Sequence, residues 1–385
     1  MWNLIEAEAK KREARGDKVI ALHVGDTYIP FPKALTEPIP GEDKMFGKML
    51  NRYSDTFGEA PLRRLILDKV RKRNQIPAEG IDCIQITGGA TGALHAAFNQ
   101  LLEPGSEVMT LAPYWSILRN VAATAKVKLV EVPFFDLLAK GIDKPDQAHG
   151  FNVEEHLKQH KTPKTAALYL NTPSNPTGML LDWRTLDAIA RFVKQHDLWV
   201  LADEAYEDYI WDGGKHISFA SLPGMFDYTV SVFSFSKCFG ASGMRTGYAV
   251  APPAVISQLN RAAVGAYYQP GRLGQLYAWR GMNRFADALN TFRRAYEPTW
   301  QWVKENLKER VLPNSATFYF FVDLGPDWLD IPPERKIQKM LDAGVVLAPG
   351  EYFGEDYNGW ARLCFTAVPP DEIKEGIRRL NGLLS

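Results

Sequence analysis

Short apolar runs alternate with longer amphipathic stretches through the middle of the chain, from about residue 81 to residue 251. The runs predict strands at Ile81–Thr87, Glu107–Ala112, Lys128–Val132, Thr165–Asn171, Leu198–Ala202, Thr229–Phe233 and Tyr248–Ala251. Helical patterns such as Leu94–Leu102 and Leu186–His196 lie between several of them. Most runs lack a clean alternation of apolar and polar positions, which is typical of strands buried on both faces. The pattern therefore predicts an α/β fold with a mainly parallel, seven-stranded sheet and helices on both faces.

The C-terminal part of the chain has a different pattern. A long helical passage, Arg280–Glu309, is followed by short strand patterns at Phe318–Leu324, Val345–Leu347 and Arg362–Thr366 and by a closing helix, Asp371–Leu384. This order predicts a smaller α+β domain. We divide the chain into an N-terminal segment that joins the small domain (residues 1–40), a large domain (residues 41–285) and a C-terminal small domain (residues 286–385).

Composition excludes several classes of protein. Lys and Arg number 45 and Asp and Glu also number 45 among the 385 residues, so charge balance gives no reason to expect nucleic acid or an anionic membrane as a partner. No apolar run reaches the roughly 18–20 residues of a spanning helix, and the charged N-terminus has no apolar signal core. The three cysteines are scattered. We therefore expect a cytoplasmic protein with reduced thiols and no bound metal.

Lys237 carries the strongest chemical signal. It follows the strand Thr229–Phe233, and ligands of open α/β sheets bind at the carboxyl ends of strands. Ser234 and Ser236 precede the lysine and Arg245 follows it, so hydroxyl and guanidinium groups could bind a phosphate there. A primary amine beside a phosphate site suggests a Schiff base with pyridoxal 5′-phosphate. The alternative is an ordinary solvated lysine.

Two further strand ends carry polar residues that suit the same cofactor. Asp203 ends a buried strand, where a carboxylate needs a partner such as a protonated pyridine nitrogen. Tyr206 could bind the 3′ oxygen of the ring, and Asn175 lies between prolines that fix its side chain to donate to the same oxygen. The alternatives are a helix-capping aspartate with a packing tyrosine, and a plain proline turn.

A glycine-rich turn and a tryptophan follow the first two strands. Gly89, Ala90 and Thr91 open a helix, whose N-terminal amides can bind phosphate, although a glycine-rich turn alone is a weak signal. The run is not G-x-G-x-x-G, so a nicotinamide-dependent oxidoreductase is disfavoured. Trp115 could stack on a planar ring or could be a core residue. Together, the five strand ends would surround one cofactor.

With these motifs the chain resembles the class I/II, aspartate-aminotransferase-like enzymes of PLP fold type I, from about Ile20 to the C-terminus. The resemblance rests on Ser-x-Ser-Lys with an arginine eight positions later, on Asn-Pro-Thr-Gly and on Asp-x-Ala-Tyr. It implies that Lys237 holds the cofactor and shuttles a proton, that Asp203 binds the pyridine nitrogen, and that Asn175 and Tyr206 bind the 3′ oxygen. It also implies that Trp115 stacks on the ring, and that the phosphate is bound by Gly89, Ala90, Thr91, Ser234, Ser236 and Arg245.

The resemblance also implies substrate and subunit contacts. Arg362 matches the arginine that binds the substrate α-carboxylate, and Gly25 the glycine whose backbone approaches the substrate, with Trp115 and Asn175 beside it. Tyr53 matches a tyrosine that reaches the phosphate of the neighbouring subunit, which implies a homodimer with shared active sites. Two segments, 26–28 and 265–272, depart from the usual form. Arg272 in the second segment is either an additional anion contact or a surface charge.

The sequence thus predicts a pyridoxal-phosphate-dependent aminotransferase that moves an amino group between an L-amino acid and a 2-oxo acid. A close alternative is a C–S β-lyase, or another fold type I enzyme with decarboxylating or oxygen-using chemistry, because the same residues serve these reactions. A more distant alternative is a catalytically silent regulatory protein that binds the cofactor. The sequence leaves the amino donor and acceptor open.

Overall fold

The computed structural model describes residues 2–46, 50–142, 151–307 and 310–384. Its strands are β1 Ile20–Ala21, β2 Ile84–Thr87, β3 Glu107–Ala112, β4 Lys128–Pro133, β5 Thr165–Asn171, β6 Trp199–Asp203, β7 Thr229–Ser234, β8 Gly247–Val250, β9 Tyr319–Asp323, β10 Val345–Val346, β11 Ala348–Pro349 and β12 Trp360–Cys364. Its α-helices are α1 Trp2–Glu13, α2 Lys33–Thr36, α3 Glu42–Phe46, α4 Ala60–Lys72, α5 Gly89–Leu101, α6 Leu118–Thr124, α7 Phe135–Ile142, α8 Val153–His160, α9 Trp183–His196, α10 Phe235–Cys238, α11 Pro253–Tyr267, α12 Arg272–Asn283, α13 Phe285–Leu307, α14 Pro333–Asp342 and α15 Pro370–Leu384.

Strands β2 to β8 form one seven-stranded sheet in the order β2-β8-β7-β6-β5-β3-β4. Strand β8 is antiparallel to β2 and β7, and the other neighbouring strands pair in parallel. The central strands are apolar and buried because helices cover both faces of a parallel sheet. The α/β architecture predicted from the apolar runs is therefore confirmed.

Several elements differ from the sequence prediction. The run predicted as one strand from Ile81 begins with a single 3₁₀ turn, Ile81–Cys83, and only Ile84–Thr87 pairs in the sheet. The long helix predicted between residues 280 and 309 is two helices, α12 and α13, which meet at Arg284. The Arg284 guanidinium donates to the carbonyl oxygens of residues 34, 37 and 38, a contact with a distant segment that local periodicity cannot reveal. Residues 308 and 309 lie outside the described residues.

The C-terminal part contains a second sheet, in which β12 lies between β11 and β9 and pairs antiparallel with both. The strand predicted at Arg362–Thr366 is shifted by two residues, because Trp360 to Cys364 pair with β9. Strand β1 pairs in parallel with β10, and Ile5 and Leu22 share a hydrophobic core with C-terminal residues. The N-terminal segment therefore packs on the C-terminal part; the domain boundaries themselves stay a prediction. None of the described helices is both long and apolar enough to cross a membrane.

Candidate active site

A cavity of about 260 Å³ lies where the carboxyl ends of β5, β6 and β7 face strands β9 and β12 of the second sheet. Parallel strands bring their carboxyl ends to one edge of a sheet, so side chains that are distant in sequence meet there. All but two of the predicted site residues line this cavity: Gly25, Ala90, Thr91, Trp115, Asn175, Asp203, Tyr206, Ser234, Ser236, Lys237, Arg245 and Arg362. The other two are Gly89 and Tyr53.

Lys237 enters the cavity from the short helix α10, which directly follows β7. Its Nζ atom donates to the backbone oxygen of Gly25 at 2.8 Å. Tyr209 fixes the backbone of the lysine, because its hydroxyl donates to the Lys237 carbonyl oxygen at 3.0 Å. Burial disfavours the charged amine and lowers the pKa of Lys237 to about 8. A usable fraction of the amine is therefore neutral near neutral pH.

Asp203 lies at the end of β6, and its carboxylate is buried at the cavity wall. It accepts a hydrogen bond from the Tyr169 hydroxyl at 2.8 Å and another from the Ala205 amide at 3.2 Å. These two bonds only partly offset the loss of water, so burial raises the pKa of Asp203 to about 6. Tyr169 was not among the predicted site residues. The signal was available, because Tyr169 precedes Asn171 by two positions on β5 and Asn171 pairs with Asp203.

Arg362 projects from β12, is buried and donates to one side-chain oxygen and one backbone oxygen. Its Nη1 donates to Asn175 Oδ1 at 2.9 Å, and its Nη2 donates to the His23 carbonyl oxygen at 2.7 Å. The guanidinium lies 4.3 Å from the ring centre of Tyr319 and 4.8 Å from that of Phe353. Aromatic faces on this cation fix its plane, so the arginine is pre-positioned for a planar carboxylate.

Tyr206 contacts a residue that the sequence did not single out, Tyr319 of β9. The two hydroxyl oxygens are 2.6 Å apart and both side chains are buried. Tyr319 pairs with Cys364 across the β9–β12 ladder, so it faces the same side as Arg362, two positions away. Knowledge of that register would have identified it. Further cavity residues missed by sequence reasoning are Ser116, Ile117, Asn171, Ala205 and Ser242.

The end of the cavity near α5 is rich in hydrogen-bond donors. Arg245 has a left-handed backbone (φ +50°), and its guanidinium donates to the Ser242 carbonyl oxygen at 2.9 Å and lies 3.5 Å from Ser236 Oγ. Gly89 also has a positive φ (+76°), and a Cβ there would lie 2.8 Å from Arg245 Nη2. Gly89 does not itself line the cavity. The lack of a side chain at this position leaves room for Arg245, which does line it.

Tyr53 and Arg272 lie outside this cavity. Tyr53 is 79% exposed, and its ring packs edge-to-face against Tyr268 with the ring centres 5.0 Å apart. It does not reach the cavity of its own chain. Arg272 donates to Glu59 at 2.7 Å and to the Phe46 carbonyl oxygen at 2.7 Å, and it does not line the cavity. In this chain it forms an ion pair that is mostly shielded from solvent.

The model of the family described as aminotransferase class I and II matches residues 18–380. This chain belongs to that family. It is 30% identical to aromatic-amino-acid aminotransferase 2 of Thermococcus litoralis, over 95% of this chain and 92% of that one. It is also 30% identical to an aspartate aminotransferase of Pyrococcus abyssi, with the same coverage. A solved double mutant of Thermus thermophilus aspartate aminotransferase superimposes with a TM-score of 0.86 at 26% identity, over 98% of this chain and 95% of that one.

Family membership confirms the main functional predictions. The protein is an enzyme that transfers amino groups, it depends on pyridoxal 5′-phosphate, and its fold is fold type I. The predicted alternative, a lyase or other fold type I enzyme, is not favoured, since these relatives are aminotransferases.

The cavity fits the cofactor. Asp203 offers a carboxylate whose pKa is raised by burial, and a protonated pyridine nitrogen beside it would stabilise its ionised form. Hydroxyl and guanidinium donors at the other end, from Thr91, Ser234 and Arg245, suit a phosphate. The Lys237 amine lies in the same cavity. The residues of the cavity therefore match the pyridine nitrogen, the phosphate and the aldehyde of pyridoxal 5′-phosphate.

Proposed function

We propose that Lys237 holds the cofactor and moves the substrate proton. Asp203 would bind the pyridine nitrogen of the cofactor, and Arg362 would bind the α-carboxylate of the substrate. Two copies of the chain would share their active sites. The observation that carries the proposal is a partly buried lysine and a buried aspartate in one cavity, with pKa values of about 8 and about 6. Two groups in one cavity whose pKa values are shifted toward 7 are typical of acid–base catalysis.

Pyridoxal 5′-phosphate, when bound, supplies an aldehyde that condenses with amines and a ring that withdraws electrons. Because its pKa is lowered to about 8, a fraction of the Lys237 amine is neutral near pH 7 and can react with that aldehyde. Once a substrate amine has replaced it, the same Nζ atom can take the proton from the substrate Cα. Its hydrogen bond to the carbonyl oxygen of Gly25 keeps the amine beside the N-terminal segment, which contributes to the cavity lining.

Asp203, Tyr206 and Asn175 would bind the ring. The Asp203 carboxylate would keep the pyridine nitrogen protonated, since separating the two would leave a buried charge without a partner. Asn175 Oδ1 accepts from Arg362, which leaves the amide Nδ2 to donate to the 3′ oxygen. The Tyr206 hydroxyl would donate to the same oxygen, and Trp115 at the cavity wall would pack on the ring. Gly89, Ala90, Thr91, Ser234, Ser236 and Arg245 would form the phosphate end.

Arg362 would bind the α-carboxylate of the substrate. The guanidinium is held by Asn175 and the His23 carbonyl, and its plane is fixed by the Tyr319 ring. Burial and the nearby arginine lower the pKa of His23 to about 4, so His23 stays neutral and adds no competing positive charge. A carboxylate bound by this arginine orients the Cα–H bond toward Lys237, and such orientation is a large part of catalysis.

The homodimer is supported by the position of Tyr53. This large aromatic side chain is 79% exposed and is held by Tyr268, itself half exposed, on the outside of its own subunit. An exposed aromatic pair favours contact with a second protein surface. Sedimentation of the purified enzyme should give a dimer, and mixing Tyr53→Ala with Lys237→Ala subunits should restore activity in half of the sites of mixed dimers. A fully active monomer would refute the shared site.

The substrates are an amino acid and a 2-oxo acid, but the relatives differ in the donors that their names give, aromatic amino acids and aspartate. The donor is therefore best found by experiment. We infer a cytoplasmic location, which is supported by three cysteines that are buried and free.

The test of the proposed function uses the enzyme loaded with pyridoxal 5′-phosphate and a panel of amino acids, without any oxo acid. Transfer of the amino group should release one 2-oxo acid per active site and then stop, while the visible absorbance of the cofactor falls. Continuous release of ammonia and product would indicate a lyase instead. Lys237→Ala should release none, and Lys215→Ala, which changes an exposed lysine, should behave like the unaltered enzyme.

A further inference from the structure

Tyr319 contacts both Tyr206, one of the residues proposed to bind the cofactor ring, and Arg362, which is proposed to bind the substrate. It is the first residue of β9, and its backbone is fixed on both sides. Its amide donates to Thr317 Oγ1 at 3.2 Å, and its carbonyl oxygen accepts from Asn314 Nδ2 at 2.6 Å. The side chain is only 2% exposed. Its phenol ring is therefore held in place by the fold of the second sheet.

The hydroxyl group of Tyr319 meets that of Tyr206 at 2.6 Å, and the two rings pack edge-to-face with their centres 5.5 Å apart. The backbone of Gly25 approaches the same hydroxyl so closely that a Cβ at Gly25 would overlap it. Tyr206 comes from the loop after β6, whereas Tyr319 comes from the second sheet. The short contact thus joins the two sheets at the cavity wall.

A tyrosine hydroxyl has one hydrogen to donate. In a pair, one hydroxyl donates to the other, and the accepting hydroxyl directs its own hydrogen elsewhere. If Tyr206 donated to Tyr319, it would have no hydrogen left for a group in the cavity. If Tyr319 donates, the Tyr206 hydrogen is free to point into the cavity, and the bond it makes there is strengthened because its oxygen is already accepting.

The charge distribution favours Tyr319 as the donor. The Arg362 guanidinium lies 4.3 Å from the centre of the Tyr319 ring, and a cation over a phenol makes that phenol a stronger acid. The Lys237 amine lies 5.6 Å from the Tyr206 ring centre. The other titratable groups whose charge acts on the pair are Cys364 and Asp26. Neither is a cation. Arg362 also lowers the pKa of Tyr206, but its guanidinium lies nearer to the Tyr319 ring centre (4.3 Å) than the Lys237 amine lies to the Tyr206 ring centre (5.6 Å), so the cations acidify Tyr319 more.

We infer that Tyr319 is a positioning residue: its hydroxyl donates to Tyr206, and this bond directs the Tyr206 hydrogen toward the 3′ oxygen of the bound cofactor. The inference rests on the proposed role of Tyr206. It assigns to Tyr319 an effect on the proton held near that oxygen, although Tyr319 itself does not touch the ring. Its hydroxyl acts through Tyr206, and its ring supports Arg362.

The experiment is a pH titration of the visible absorbance of the bound cofactor, without substrate, in unaltered enzyme, Tyr206→Phe, Tyr319→Phe and the double variant. Donation to the 3′ oxygen favours its ionised form and lowers the midpoint. Tyr206→Phe should therefore raise the midpoint most, and Tyr319→Phe should raise it by roughly 0.3 to 1 unit, the size of one neutral hydrogen bond. The double variant should titrate like Tyr206→Phe alone, because Tyr319 acts only through Tyr206.

Two controls make the outcome decisive. Tyr357→Phe removes a tyrosine hydroxyl that bonds to Asp136 at 3.0 Å, away from the cavity, and should leave the midpoint unchanged. Placing 3-fluorotyrosine at position 319, a stronger acid of nearly the same size, should lower the midpoint, and it serves if Tyr319→Phe does not fold. An unshifted midpoint in both Tyr319 variants, or additive shifts in the double variant, would overturn the inference. If Tyr206→Phe itself leaves the midpoint unchanged, the proposed role of Tyr206 fails and the inference falls with it.

Discussion

Asp203 and Glu204 are neighbours in the chain and both are buried, yet they lie in two regions with different chemistry. Asp203 faces the cavity and accepts from one side-chain hydroxyl and one amide. Glu204 faces away from it and accepts from His216 at 2.7 Å, from Ser218 at 2.5 Å and from Ser231 at 3.0 Å. Successive residues at a strand end point to opposite sides, which separates the two environments.

Two lysines, Lys69, which is buried, and Lys237, which is partly buried, show the same contrast. Lys69 forms an ion pair with Glu207, donates to the Tyr248 hydroxyl at 3.2 Å and lies 4.5 Å from the centre of the Phe233 ring. Lys237 has a backbone carbonyl oxygen as its hydrogen-bond acceptor, and burial lowers its pKa to about 8. A buried charge with a full set of partners stabilises the fold, whereas one with few partners faces the cavity and is available for chemistry.

The largest effect on activity is expected from Lys237→Ala. Losing the amine removes both the cofactor attachment and the base, so turnover should fall by at least about 10³-fold. The fold should persist, because the variant removes a partly buried charge and leaves no carboxylate that was hydrogen-bonded to it. Initial rates and thermal unfolding measured on the same preparation check this. Turnover within tenfold of the unaltered enzyme would remove Lys237 from the mechanism.

Lys69→Met should produce the reverse result. The substitution leaves the Glu207 carboxylate buried beside Asn74 without its cation, so the free energy of unfolding should fall by about 3–5 kcal/mol. Turnover per folded molecule should stay within about threefold, since Lys69 does not line the cavity. Denaturant unfolding of the cofactor-free protein measures the first quantity. Unchanged stability would mean that this ion pair does not act as a structural contact.

The raised pKa of Asp203 predicts a pH-dependent stability of the cofactor-free protein. Between the ordinary aspartate value and about 6, the folded state binds more protons at this group than the unfolded state does. The free energy of unfolding from this group therefore falls as pH rises through that window, by roughly 3 kcal/mol in all. Asp203→Asn should match the unaltered protein near pH 4 and exceed it in stability near pH 7. A difference independent of pH would contradict the burial argument.

The smallest effect is expected from Glu204→Gln. The amide keeps the size of the side chain but replaces one accepting oxygen with a donor, so at least one of three hydrogen bonds must rearrange. The free energy of unfolding should fall by about 1–3 kcal/mol, and turnover per folded molecule should change little. Denaturant unfolding and initial rates test both statements. A large loss of turnover with normal stability would place Glu204 in the chemistry.

The sequence could predict the strand ends because apolar runs and the residues that follow them are local features. Lys237, Asp203 and Asn175 each follow such a run, and a parallel sheet brings them to one edge. Tyr169 and Tyr319 were missed because their contribution depends on register between strands, and for Tyr319 also on how the second sheet packs against the first. The break at Arg284 depends on a contact with the N-terminal segment, which no local pattern contains.

The most direct test of the contrast between Lys69 and Lys237 is to locate the bond to the cofactor. The enzyme is loaded with pyridoxal 5′-phosphate, reduced with borohydride, digested and mapped by mass spectrometry. We expect one pyridoxyl group per chain, on the peptide that contains Lys237, and an unmodified Lys69 peptide. An enzyme that turns over while the label lies on another lysine, or on none, would contradict this expectation.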